Sequence, residues 1–438
     1  MISFIKTLVF LYFSILSPFA ESVIITGSVP KSLWGKKMFL NGPQRAYREK
    51  TTLDGPAHIT CVNLINNNTT VVSELLLEKT ENSFTLGKLI DPDFIEIINK
   101  YSLASIFKPD FMSSNYCNIA VRKYLSKYYA LEETSCPLEI DFNEEGRLKI
   151  IKRSDTITRM AAHLLDEYTR FSYTPSNLLK PLKYNDTVIP WIPDKRPLFI
   201  HTGKITPCKR YLIFPLSSTG FGNFDKWLLN KSKFPLDYKS NKFKWLIYDL
   251  YNKNVIEIES KIKENEYIDI FHIPKIEQIN FENNDKDKDK DKDKDKGTKY
   301  KIYVPHIYNF LDWLAKDGEL DVKLHYHIID IKSKKIDEIK NLGVKIDFIH
   351  SIAHELIGYG CENKPEVTIF NRITEYAYTK EIPGNIVNEI IPYKNMLLYF
   401  SHDNTQTFLY IINKDTCDII TKIKIPYRLP GIHTTLYD

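Results

Sequence analysis

The sequence predicts an all-β fold, a β-propeller with short helices and loops capping one face. Three observations carry that expectation. Tyr and Phe are abundant, 27 and 24 of 438 residues, which suits pleated sheet better than a helical bundle. A phrase of apolar strand, Asp or Asn, polar turn and second apolar strand recurs four times. Helical periodicity, by contrast, is confined to a few short stretches. Hairpins repeated along one chain suggest blades set radially around an axis.

The four copies run Leu138 to Ile150, Leu246 to Ile258, His327 to Ile339 and Tyr410 to Ile423, with Asp141, Asp249, Asp330 and Asn413 at the turns. Apolar–polar alternation on both sides of an Asn/Asp/Lys-rich turn is a hairpin signal. Unrelated hairpins in a mixed fold would give the same phrases, and the copies alone do not count the blades. Helical patterns are expected over Asp91 to Leu103, Thr156 to Tyr168 and Ile307 to Ala315. Asp285 to Lys296 is a run of Asp-Lys pairs with no apolar residue to bury. It predicts a solvated, disordered insertion at about 283–298, placed between strands of one domain rather than between two domains.

The net charge of +5 is small for this length, and Lys and Arg are interspersed with Asp and Glu. Neither a nucleic-acid footprint nor an acidic partner is indicated. Residues 1–22 read as a secretory signal: Lys6 precedes the apolar run Thr7 to Leu16, and Ala20 and Ser22 form an Ala-x-Ser cleavage pattern. That leaves 23–438 as a single propeller domain, lumenal or secreted, with an uncleaved anchor as the alternative. Asn67, Asn68, Asn185 and Asn230 begin glycosylation sequons that a lumen would make usable. Cys61, Cys117, Cys136, Cys208, Cys361 and Cys417 show no CxxC spacing. They would allow up to three disulfides in an oxidising compartment, or remain buried thiols.

Four histidines stand in short phrases of their own: His163 in Ala-Ala-His-Leu-Leu-Asp, His201 in Phe-Ile-His-Thr-Gly-Lys-Ile-Thr, His272 in Ile-Phe-His, and His433 in Leu-Pro-Gly-Ile-His. Their separation rules out a local zinc knuckle, so they form a site only if a closed fold gathers them. Four neutral imidazoles at one point would suit iron, copper, nickel or zinc.

With these phrases in order, the chain resembles the carotenoid cleavage oxygenases, the family of apocarotenoid and stilbene oxygenases and the retinoid isomerase. The resemblance runs from about Gly27 to the C-terminus. Gly27-Ser28-Val29-Pro30 through Leu33-Trp34-Gly35, then Asn41-Gly42-Pro43, is similar to the family's opening, and Leu53-Asp54-Gly55 to its Asp-Gly turn. The resemblance implies a seven-bladed β-propeller carrying Fe(2+) on the axis, held by His163, His201, His272 and His433. It also implies three carboxylates that hydrogen-bond those ligands: Glu133 for His201, Glu366 for His272 and Glu389 for His433. A carboxylate on one imidazole N–H fixes the tautomer and aims the other nitrogen at the metal. The stretch from His163 to His201 is shorter than in the family, which implies trimmed strands or loops in one blade.

The implied activity is a non-haem Fe(II) dioxygenase that cleaves a carbon–carbon double bond in a carotenoid, apocarotenoid or stilbene-like substrate. Its partners would be an apolar small-molecule substrate and O2, with a peripheral membrane contact and no nucleic acid. Two rival readings stand beside it. One is a non-catalytic secreted or lumenal propeller that binds a lipid or protein. The other is a zinc hydrolase built on His350 and His354, which share a face if Ile349 to Leu356 is helical.

Overall fold

The computed structural model describes residues 23–43, 57–65, 69–75, 117, 119–131, 137–144, 146–154, 171–172, 183–185, 187–190, 200–221, 236–238, 242–261, 266–279, 299–312, 320–360, 365–426, 428–429, 431 and 433–438. The signal-like segment, the Asp-Lys tract, the helical patterns at 91–103 and 156–168, and the candidate residues His163 and Glu133 lie outside the described residues.

Among the described residues, seven of the eight antiparallel sheets follow one another in chain order as blades, the eighth being the small pair Thr219–Phe221 and Leu236–Tyr238. Blade 1 contains Lys37–Pro43, Ala57–Asn63 and Thr70–Leu75, with the C-terminal strand His433–Tyr437 laid along Lys37–Pro43. Blade 2 contains Ala120–Tyr124, Lys127–Leu131, Leu138–Phe142 and Leu148–Arg153. Among the described residues, blade 3 contains Phe171–Ser172, Lys183–Tyr184 and Thr187–Val188. Blade 4 contains Lys204–Ile205, Tyr211–Leu216, Lys242–Asp249 and Asn254–Lys261. In blade 5, Ile268–Asp269 and Lys275–Gln278 both pair with Lys299–Tyr308, followed by Asp321–Asp330 and Lys335–Asn341. Blade 6 contains Asp347–Ile352, Glu355–Tyr359, Glu366–Asn371 and Tyr376–Glu381. Blade 7 places Ile386–Val387 and Ile391–Tyr393 on Met396–His402, then Thr407–Asn413, Ile419–Ile425 and the N-terminal strand Ile24–Gly27. Among the described residues no helix is long and apolar enough to cross a membrane.

The core lies in the seams. Each buried apolar cluster joins neighbouring blades: Leu40 and Met38 of blade 1 pack with Leu398 and Ile411 of blade 7, and Tyr303 and Leu324 of blade 5 with Leu356 and Phe370 of blade 6. Around blade 3, Leu131 and Leu212 share one cluster with Ile189 and Ile200, so blades 2 and 4 are bound partly through connecting chain. Inner strands of successive blades touch: Asp347–Ile352 meets Ile391–Tyr393, which meets His433–Tyr437, which meets Ala120–Tyr124. These strands ring the axis.

All four repeated phrases are hairpins; in blades 2, 4 and 5 each is the outer pair, and in blade 7 the N-terminal strand Ile24–Gly27 lies outside it. The turn device is visible in side-chain detail. Asp249 Oδ1 accepts from the backbone N–H groups of Tyr251 and Asn252, Asp330 Oδ1 from Lys332 and Ser333, and Asn413 Oδ1 from Asp415 and Thr416. Four residues after each cap, Lys253, Lys334 and Cys417 take a left-handed conformation, with φ of 57°, 53° and 62°. A fourth copy of this device sits in blade 6, where Asn371 Oδ1 accepts from Ile373 and Thr374 and Glu375 has φ 51°. Asn side chains that bond backbone two and three residues on stabilise such turns directly.

Two expectations are corrected. Ile349 to Leu356 is not helical: Ile352 pairs with Glu355 across a two-residue turn in which Ala353 has φ 47°. Of the pattern at 307–315, Ile307 and Tyr308 end a strand and residues 310–312 enter a helical turn; 313–315 lie outside the described residues. Cys61, Cys208 and Cys417 carry free thiols, so the full set of three disulfides does not form.

The seam between blades 4 and 5 also buries polar side chains. Trp245 Nε1 donates to His327 Nδ1 at 3.0 Å, and His327 Nε2 meets His306 Nε2. His325 stacks on His306 with ring centroids 3.9 Å apart and accepts from the Tyr308 hydroxyl on Nε2 at 3.2 Å.

Candidate metal centre

Of the candidate site residues that the structure describes, His201, His272, His433 and Glu389 lie on or beside inner strands, and Glu366 does not. His201 leads into Lys204–Ile205 of blade 4, and His272 lies between Ile268–Asp269 and Lys275–Gln278 of blade 5. Glu389 lies between Ile386–Val387 and Ile391–Tyr393 of blade 7, and His433 begins the strand that completes blade 1. Glycines permit two of these approaches. A Cβ on Gly203 would stand 2.4 Å from the Phe214 ring, and one on Gly431 would stand 2.2 Å from Leu40 Cδ1. The backbone beside His201 and beside His433 can therefore lie against the sheet only where no side chain intervenes. Gly42 of the Asn-Gly-Pro phrase faces Gly431 of the terminal phrase equally closely, with Asn41 paired to His433 in register.

Three of the four predicted imidazoles come together. The His272 ring stands between the other two, its centroid 6.0 Å from that of His201 and 6.0 Å from that of His433, near perpendicular to both. Phe271 lies 4.6 Å from His201, and Phe348 lies 5.0 Å from His433 and 5.5 Å from His272, also centroid to centroid. Phe310 packs edge-on to Phe271 at 4.7 Å. The imidazoles thus meet within an aromatic surround.

Carboxylates back two of the rings. Glu389 is buried; its Oε2 accepts from the Thr434 backbone N–H at 2.8 Å and from His433 Nδ1 at 3.2 Å, while its Oε1 accepts from His350 Nε2 at 2.7 Å. Burial pushes the Glu389 carboxyl up, but hydrogen bonds from His350 and His433 outweigh it and hold the group well below the ordinary carboxylate range. Burial lowers the His433 pKa despite the opposing pull of Glu389, which favours a neutral ring with its proton on Nδ1. The carboxylate beside His272 is Asp347, whose Oδ1 lies 3.4 Å from His272 Nδ1. Glu366, which the resemblance places there, opens the third strand of blade 6 opposite Glu381. Asp347 and His350 are residues that sequence reasoning did not assign to this centre.

Asp347 and His350 reach the site through a bulge. The register of Asp347–Ile352 against Glu355–Tyr359 shifts between Asp347 and His350, and Phe348 has φ 47°. Asp347 Oδ1 caps the bulge by accepting the Phe348 N–H at 2.8 Å. Bulges re-aim side chains beside functional sites, and a bulky residue held at positive φ is a strained position.

Among the described residues no group of three His, Cys, Asp or Glu side chains is close enough to hold a metal ion by itself. The donor chemistry nonetheless fits a nitrogen-liganded metal: imidazoles from three blades converge, and the one hydrogen-bonded through Nδ1 keeps its Nε2 lone pair for coordination. His163, the fourth predicted ligand, lies outside the described residues, as does Glu133.

No known family profile matches the chain, and no curated protein sequence does. Solved structures do match. A glutamate-to-aspartate variant of the Synechocystis apocarotenoid oxygenase superposes with a TM-score of 0.65 at 13% identity, covering 94% of each chain. A cobalt-substituted form of that enzyme gives 0.64 at 14% identity over 95% of each chain, and an ACO/RPE65 chimera 0.63 at 14% over 94% of each. The protein has a carotenoid cleavage oxygenase-like fold, nearly all β, and its neighbours are β-propellers.

Proposed function

We propose that the protein is a non-haem Fe(II) dioxygenase that cleaves a carbon–carbon double bond in a carotenoid, apocarotenoid or stilbene-like substrate. One observation carries the reading: imidazoles of His201, His272 and His433, delivered by three blades, converge at the axis in a fold shared with an apocarotenoid oxygenase. His163 is proposed as the fourth ligand and Glu133 as the carboxylate behind His201. Ferrous iron bound there would supply the oxygen chemistry, as open-site metal centres do. The chain's own residues would do the rest. Glu389 fixes the His433 tautomer, Asp347 stands as the acidic neighbour of His272, and Phe271, Phe310 and Phe348 keep the surround apolar and poor in water. An apolar polyene suits such a surround better than a charged metabolite.

The segment 1–22 motivates the further proposal that the mature protein is lumenal or secreted. The second reading, a non-catalytic propeller, is favoured by the spacing of the three rings, which do not form a metal-holding group unaided. Iron content of the full-length secreted protein and oxygen uptake with an apocarotenal separate the two. About one iron per chain with substrate-dependent uptake supports the dioxygenase; folded protein without iron supports the binding propeller.

A further inference from the structure

We infer that His350 is a positioning residue of the metal centre: it holds Glu389 in the orientation that presents Oε2 to His433. The inference rests on the metal reading above and adds to it a residue outside the predicted ligand set. Turning about the last side-chain torsion of a glutamate swings both carboxylate oxygens together, so a donor on Oε1 adds to those on Oε2 in fixing the plane of the group. Glu389 Oε2 is anchored by Thr434 and His433, whereas Oε1 has one described donor, His350 Nε2. At 2.7 Å that is the shortest of the three contacts.

The backbone is arranged to deliver it. Residues three apart in a regular strand point to opposite faces, so Asp347 and His350 would diverge. The register shift and the left-handed Phe348 insert the extra residue that turns both toward the axis. One bulge in blade 6 therefore serves two imidazoles, through Asp347 for His272 and through His350 and Glu389 for His433. The neighbouring residues of the same phrase have other work. The His354 carbonyl accepts from Arg372 N–H, and Glu355 pairs with Lys414. His354 stands in the exposed two-residue turn, whereas His350 lies on the strand before it.

The test is cobalt(II) titration of the metal-free full chain, read by calorimetry and by the visible absorption of the bound ion. His350→Phe keeps a planar ring and removes the donor; His350→Gln restores an N–H donor. Outer partners of metal ligands are typically worth 10- to 100-fold in affinity, so His350→Phe should weaken cobalt binding about 10-fold or more and alter the absorption band. His350→Gln should recover most of both, with apo-protein melting temperatures alike in all three. Cobalt binding by His350→Phe equal to wild type would overturn the inference. So would a loss shared by both variants together with a lower melting temperature, which is the mark of a structural role. Failure of the wild-type protein to take up cobalt would overturn the metal reading itself, and the inference with it.

Discussion

His306 and His327 face each other Nε2 to Nε2 across 2.7 Å in the seam between blades 4 and 5. Because Trp245 donates to His327 Nδ1, the His327 proton must sit on Nε2 and be given to His306, whose own proton is then on Nδ1. That Nδ1 finds no acceptor among the described residues. Both rings are neutral: burial pushes both pKa values down, that of His327 to about 3.

Acid should therefore unfold the protein early. Histidines in the unfolded chain titrate near 6.5, so below that pH the unfolded state binds more protons than the native one and stability falls. Each buried histidine contributes a slope approaching about 1.4 kcal/mol per pH unit. His58 and His402, both lowered to about 4 by burial, act in the same direction. Glu389, held well below the ordinary carboxylate value, acts in the same direction from the lower end of this window downward. Urea denaturation at pH values from 7.5 to about 4.5 should show stability falling steadily from about pH 6.5 downward. His306→Phe should flatten that fall, and an unchanged slope would refute the assignment.

Removing the charge beside His272 should weaken metal binding without unfolding the blade. Asp347→Asn keeps an oxygen to accept the Phe348 N–H but loses the carboxylate 3.4 Å from His272 Nδ1. Cobalt affinity is expected to drop about 10-fold by calorimetry. Wild-type affinity in the variant would remove Asp347 from the centre.

Closure of the ring at blade 1 depends on a missing side chain. Gly431→Ala would place a methyl 2.2 Å from Leu40 Cδ1, and overpacking of this kind costs about 1–3 kcal/mol. Leu40→Ala alone opens a cavity at about 2–5 kcal/mol. In the double variant the new methyl enters that cavity, so the two losses should fall short of their sum by about 1 kcal/mol. Strict additivity in urea melts would mean that the contact is not what requires glycine.

The turns offer a gain. Lys334 holds φ 53° at an exposed hairpin tip, a conformation that Asn adopts more readily than Lys. Lys334→Asn should stabilise the chain by up to about 1 kcal/mol, read as a raised urea midpoint with the same slope. A lowered midpoint would show that the lysine side chain contributes more than its backbone strain removes.

The hairpins of blades 4, 5 and 7 were legible because an Asx cap and alternating flanks coincide in each; in blade 2 Asp141 lies within the strand and Asn143 stands at the turn. The equivalent hairpin of blade 6 was not legible, because exposed Ile373 interrupts its polar turn and breaks the pattern. The His350–His354 spacing read as helical for a related reason: its two-residue turn is Ala353-His354, with neither Gly nor Asn to announce a positive φ. His201, His272 and His433 could be found from short phrases, and the structure gathers those three rings. Asp347 could not, since its approach to His272 follows from a bulge at Phe348 that no local composition encodes.

The strand His433–Tyr437 both completes blade 1 and carries His433 to the axis. During synthesis on the ribosome, blades 2 to 6 can form in order of emergence, yet the imidazole of His433 and its partner Thr434 N–H arrive only after all of them. If the proposed metal binds here, a chain in which that strand has not yet docked lacks the full donor set. Loading would then follow the docking of His433–Tyr437 along Lys37–Pro43.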